Sequence, residues 1–118
     1  MAINTKLTIE HRPDNSIDKL YLQGYLDMHT APQLETSLGN LVKAGRNNII
    51  VNFRDLDYIS SAGLGVFMAF IEDARIGGGD IKLAEMKPKV FTVFDLLGFP
   101  MLFDIAESEA DALAKFTA

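Results

Sequence analysis

A chain of 118 residues, 48% hydrophobic and 23% charged, is long enough for one core and too apolar for disorder. Its net charge of −5, with 11 Lys and Arg that form no run, argues against a grip on nucleic-acid phosphates. The absence of cysteine removes disulfides, thiolate metal sites and cysteine nucleophiles together, and fits a reducing cytosol.

"INTKLTIEH" alternates Ile3, Leu7 and Ile9 with polar residues and reads as a half-buried strand. "RPDNS" is a turn cluster that also takes in the neighbourhood of His11, and "IDKLYLQGYL" is a second strand with Leu20, Leu22 and Leu26 on one face. The two strands are expected to pair as a hairpin. In "HTAPQLETSLGNLVKAG", Thr30 is the expected N-cap, Gln33 completes a capping box, and Pro32 is tolerated in the first turn. Leu34, Leu38, Leu41 and Val42 form the buried stripe of this helix, and Gly45 ends it.

"NNIIVNF" is a continuous apolar run, as expected of a central strand covered on both faces. A loop, "DLDYISS", leads into a helix from Ser61 to about Arg75 that stops at Gly77–Gly79. "DIKLAEM" is a strand, "PKVFTVFDLLGF" a helix with Pro88 in its first turn, "MLFDIA" a short strand, and "SEADALAKF" a helix capped by Ser108. The order β-β-α-β-α-β-α-β-α predicts an α/β fold. It would hold one mixed sheet, mostly parallel with an antiparallel N-terminal edge hairpin, and about four helices. The N-terminal stretch has no apolar run long enough for a signal peptide or a membrane span, so the expected setting is the cytoplasm without membrane insertion.

Topology then singles out two loops. If the second and third strands are parallel and joined by a helix, the chain leaves both at the same sheet edge, where open α/β sheets place their binding sites. "GYLDMHT" and "DLDYISS" should lie side by side, which makes Asp27 and Ser61 neighbours. Ser60 and Ser61 sit where a helix cap belongs, and a cap explains one serine but not two. Nucleophilic catalysis is disfavoured: the histidines are His11 and His29, and no G-x-S-x-G elbow is present. Asp55 and Asp57 invite comparison with a phosphoacceptor aspartate, but the first strand offers only Glu10 for a magnesium site, so no metal is expected.

The second long helix has a core stripe, Leu64, Phe67, Met68, Ile71 and Ala74. A second stripe, Ala62, Gly65, Val66 and Ala69, is small and uncharged where a solvated face would carry Lys and Glu. It fits either close helix packing within the domain or a docking surface for a partner protein.

"DLDYISSAGLGVF" resembles the signature of STAS domains of the bacterial anti-sigma factor antagonist family, and "GYLDMHTA" resembles the family's upstream motif. The resemblance extends over essentially the whole chain and implies a single STAS domain over residues 1–118. It implies a binding switch rather than an enzyme. The unphosphorylated antagonist binds an anti-sigma factor that is also a serine kinase of the GHKL type, and so frees a sigma factor. Phosphorylation of a serine at the start of the helix breaks the complex, and a PP2C-type phosphatase resets it. By position the acceptor is Ser61, with Ser60 a second candidate, and Asp27 is the acidic residue of the upstream motif. Members often carry Asp in place of Ser60, a hydroxyl residue in place of Ala62 and Glu in place of Tyr25. The expected partner surface comprises Asp27, His29, Thr30, Ser60, Ala62, Gly63, Gly65, Val66 and Ala69, and no cofactor is implied. A reading of another class is a stand-alone STAS subunit of a lipid-transport ATP-binding cassette complex, with Ser61 in an interface. A third is a divergent receiver phosphorylated on Asp55 or Asp57.

Overall fold

A computed structural model describes residues 6–117. Ile3, the expected start of the first strand, lies outside the described residues. The elements are β1 (Leu7–Asp14), β2 (Ile17–Leu26), α1 (Ala31–Lys43), β3 (Asn48–Ile59) and α2 (Ser61–Ile76). β4 (Asp80–Ala84), α3 (Pro88–Leu96), a short 3₁₀ turn (Phe99–Met101), β5 (Ile105–Ala106) and α4 (Glu109–Thr117) follow. The strands lie in chain order, β1-β2-β3-β4-β5. β1 and β2 pair antiparallel and the other neighbours pair parallel, as the alternation of elements predicts.

The main core packs Leu20, Leu22, Val51, Phe53 and Leu83 of the sheet against Leu34 and Leu38 of α1, Phe67 and Ile71 of α2, and Phe94 of α3. Phe53 anchors it, with its ring centroid 5.6 Å from that of Phe67 and 5.5 Å from that of Phe94. The opposite face meets α4 through Ile17, Ile50, Ala84, Ala106 and Ala112. The run Ile49–Val51 is apolar throughout because Ile49 and Val51 join the main core while Ile50 packs under α4. Glu109 pins α4 to the sheet, accepting hydrogen bonds from the Tyr21 hydroxyl at 3.0 Å and from Asn52 Nδ2 at 3.1 Å.

The expected hairpin turn is shorter than "RPDNS". β1 runs on through Pro13 and Asp14, and only Asn15 and Ser16 turn, with Asn15 at φ 56°. Pro13 is compatible with this because β1 is an edge strand with no partner on its outer side among the described residues. His11 is therefore a strand residue, and its Nε2 lies 2.7 Å from the buried Asp18 carboxylate. Asp18 also accepts from Arg46 Nε at 2.6 Å, which ties the hairpin to the end of α1.

The larger departure is β3. "DLDY" is strand, not loop. Asn52 and Asp55 oppose Tyr21 and Gln23, and Leu56 and Tyr58 oppose Gly24 and Tyr25, so β3 carries one extra residue at each of two bulges. Each bulge resets the alternation, so Phe53, Leu56 and Ile59, three apart, are all buried in the main core. The usual period of two is lost, and with it the strand signal. The two bulges bring β3 to the edge of the sheet beside the last residue of β2, Leu26, and deliver Ser60 there.

Helix ends follow the glycines. The chain leaves α1 and α2 by the same turn: Arg46 N–H donates to Leu41 C=O at 2.9 Å, and Gly79 N–H to Ala74 C=O at 2.9 Å. Gly78 makes the second of these turns at φ 88°.

Candidate functional site

The carboxyl edges of β2 and β3 meet at Leu26 and Ile59, and the Ser60 N–H donates to the Leu26 carbonyl at 2.9 Å. That bond joins the two loops expected to be neighbours. The result is an open groove of about 510 Å³ lined by Asp27, Met28, His29, Tyr58, Ser60, Ser61 and Ala62. Asp27 and Ser61 share it, as topology predicts.

The two serines divide the work between them. Ser60 is extended, at φ −104° and ψ 172°, and its Oγ accepts from Gly63 N–H at 3.4 Å as the N-cap of α2. Ser61 is the first helical residue, is exposed, and its hydroxyl bonds to no other described residue. The cap thus accounts for Ser60 and leaves Ser61 without a structural task.

The loop before α1 is built differently from expectation. Thr30 does not cap α1, and Gln33 does not close a box with it; Gln33 Nε2 donates to Leu7 C=O instead, at 3.3 Å. Thr30 has helical backbone angles and is buried, with its hydroxyl turned inward. That hydroxyl donates to Tyr25 C=O at 2.8 Å and accepts from Asp27 N–H at 2.9 Å. Asp27 does the capping, since its Oδ1 accepts from the N–H groups of His29 at 2.9 Å and Thr30 at 3.1 Å. The loop is locked, and it holds Met28 and His29 out at the groove.

Along α2 the exposed face is Ser61, Ala62, Gly65, Met68 and Ala69, uncharged until Glu72 and Asp73. Of the expected partner residues, Asp27, His29, Ser60 and Ala62 line the groove, and Gly65 and Ala69 continue from it along the helix. Three are buried and belong to the interior: Thr30, Gly63 and Val66. A Cβ on Gly63 would lie 2.7 Å from Leu26 Cγ, so this glycine clears space for the sheet edge and not for another protein. Gly65 has open space in front of it. Val66 sits one position round from the exposed stripe and packs into the main core. Met68, expected in the core, is 45% exposed. Val66 takes its place in the interior, so the two stripes trade one member each.

Sequence reasoning missed Met28, Tyr58 and Met68 as surface residues of the site. Tyr58 was hidden by the second bulge. Its ring stacks obliquely on that of its strand partner Tyr25, centroids 5.8 Å apart, so the pair covers one wall of the edge. Asp55 and Asp57 do not converge. Asp57 is bonded to Lys87 at the start of α3, which holds its carboxyl below the ordinary carboxylate range. Asp55 lines a separate polar cleft with Arg12, Tyr21 and Glu109. Among the described residues no three His, Asp or Glu side chains cluster to hold a metal ion.

Residues 7–112 match the STAS domain family. The chain belongs to the STAS domain family. Among curated relatives of this STAS chain, BtrV of Bordetella bronchiseptica, whose name places it with the anti-sigma factor antagonists, is 39% identical over 95 residues. That alignment covers 80% of this chain and 82% of BtrV. An anti-sigma factor antagonist from Mycobacterium paratuberculosis superposes with a TM-score of 0.90 at 20% identity and full coverage of both chains. The Bacillus cell fate determinant SpoIIAA in its phosphorylated form superposes with a TM-score of 0.71 at 22% identity, covering 93% of this chain and 98% of that one. The two structures establish the STAS fold, with its mixed sheet and four helices, and the names of BtrV and of the Mycobacterium protein place both with the anti-sigma factor antagonists. Among the described residues no helix is long and apolar enough to cross a membrane.

Proposed function

We propose that this STAS protein is a cytoplasmic anti-sigma factor antagonist switched by phosphorylation of Ser61. Unphosphorylated, it binds an anti-sigma factor that is also a GHKL-type serine kinase, and a sigma factor is released. The phosphorylated form does not bind, and a PP2C-type phosphatase restores the first state. The observation that carries this reading is the division between the serines: Ser60 caps the helix, and Ser61 stands exposed at the head of an uncharged face, its hydroxyl bonded to no other described residue. The likeness to BtrV supports it.

The local physics suits a switch. A phosphate adds about −1.5 to −2 charge, which takes the net charge from −5 to about −7. At the first residue of α2 the helix dipole and free amides tolerate a dianion, so the fold is kept. In the groove the same dianion would lie among Asp27, Met28, His29 and Tyr58. A partner fitted to a small, apolar face must desolvate that charge or leave.

Incubation with the cognate kinase and ATP, followed by mass spectrometry of intact protein and peptides, tests the proposal. One phosphate on Ser61 is expected. Absence of phosphate from Ser61 overturns the assignment, and unchanged kinase binding by Ser61→Asp returns the reading of Ser61 as an interface residue.

A further inference from the structure

The chain carries five methionines and no cysteine. A reactive thiolate would take up a peroxide first, so here the attack falls on exposed thioethers. Met1 lies outside the described residues, and the other four stand in different settings. Met86 is half-buried and packs against the main core. Met28 (70% exposed), Met68 (45%) and Met101 (91%) are open to solvent. Met101 ends the 3₁₀ turn after α3 and lines no part of the groove. The other two belong to the surface around Ser61.

Met28 lines the groove together with Ser61. Its backbone is held in place, because Asp27 Oδ1 accepts from the amides of His29 and Thr30 and the Thr30 side chain is buried. Met68 follows Ser61 by seven residues, two turns of α2, so it lies on the same side of the helix about 10 Å further along. It is the largest side chain on the exposed face of α2, which is otherwise serine, alanine and glycine as far as Glu72. A soft, flexible thioether thus stands at each end of the small uncharged face that begins at Ser61.

A peroxide changes that face by a simple step. The thioether sulfur attacks one peroxide oxygen, an S–O bond forms as the O–O bond breaks, and sulfur gives up two electrons. The departing hydroxide takes the proton of the transferred oxygen and leaves as water. The product is methionine sulfoxide, which puts a polar acceptor oxygen where a flexible apolar side chain stood. A partner fitted to the unoxidised face must bury that oxygen without a donor made for it, or leave. We propose that Met28 and Met68 are oxidation sites, and that their sulfoxides release the partner as a second off-signal that needs no phosphate on Ser61. This inference rests on the reading of the groove and the α2 face as the kinase-binding surface.

The test treats the full chain with hydrogen peroxide, removes the peroxide by desalting, and mixes the protein with the cognate kinase. Peptide mass spectrometry places the added oxygens, and calorimetry reads the affinity. Met28, Met68 and Met101 are expected to gain one oxygen each before Met86 does, with the thermal unfolding transition retained. The oxidised protein should bind at least about tenfold more weakly. Methionine sulfoxide reductases for both sulfoxide epimers, with a dithiol as reductant, should restore the affinity. Met101→Leu should lose affinity on treatment by the same factor as the unsubstituted protein, and so should Ser61→Ala. Met28→Leu with Met68→Leu, whatever its affinity before treatment, should lose less than about twofold on treatment. Equal affinity of the oxidised and untreated proteins, an oxidised form that has unfolded, or oxidation of Met86 ahead of Met28 would overturn the proposal and leave the kinase reading standing. So would a loss that persists in the double variant or disappears in Met101→Leu or Ser61→Ala. Failure of the untreated protein to bind the kinase overturns that reading, and this inference with it.

Discussion

The starts of α1 and α2 look alike in sequence, a hydroxyl residue following an acidic strand end, and are built for opposite tasks. At α1 the capping groups are tied together: Thr30 is buried with its hydroxyl bonded on both sides, and Asp27 holds two amides of the loop. At α2 the cap is one weak bond from Ser60, and Ser61 is left open to solvent. The difference teaches that a closed helix start is the frame and an open one is the candidate site. The closed loop fixes where Met28 and His29 stand, and the open start presents the group that chemistry can reach.

Substitutions should separate the two starts. The largest effect is expected at the frame. Thr30→Val keeps the shape but strands the Tyr25 carbonyl and the Asp27 N–H, at a cost of about 3 kcal/mol read as a drop in urea midpoint. Gly63→Ala comes next. Its methyl would crowd the fully buried Leu26, and overpacking of about 1–3 kcal/mol outweighs a helix gain of about 1 kcal/mol. Thermal unfolding should show a net loss, and a gain would mean that the sheet edge can yield. Ser60→Ala removes only the cap and should cost about 1 kcal/mol, with the fold and the phosphorylation of Ser61 retained. Ser61→Ala should change stability by less than about 0.5 kcal/mol while abolishing phosphate uptake. A large loss of stability at Ser61 would give it a structural role and break the comparison.

The sequence announced the architecture well because its signals were local. The Leu34–Leu38–Leu41 stripe, the glycine helix stops and the Ser108 cap each depend on nearby residues, and each stands as expected, with Ser108 Oγ accepting from Asp111 N–H at 3.0 Å. Topology also foretold that Asp27 and Ser61 share one edge. Illegible features were those set by tertiary geometry. Two bulges in β3 turned a period of two into a period of three, so Asp55–Tyr58 looked like loop. Thr30 carries the residue type of a cap, but the inward-facing Tyr25 carbonyl competes for its hydroxyl, and nothing local reveals that competitor. On α2, a helix apolar on nearly every side, spacing could not decide between Val66 and Met68 for the interior. In the folded chain Val66 joins the main core and Met68 stays at the surface.

The central claim is that one phosphate on Ser61 changes the affinity for the kinase without changing the fold. The measurement that tests it most directly is the dissociation constant of the kinase complex, by calorimetry, for unmodified and Ser61-phosphorylated protein with matched thermal unfolding. The account predicts binding weaker by at least about a hundredfold, ~2.8 kcal/mol, with both forms folded. Equal affinities, or a phosphorylated form that has unfolded, would contradict it.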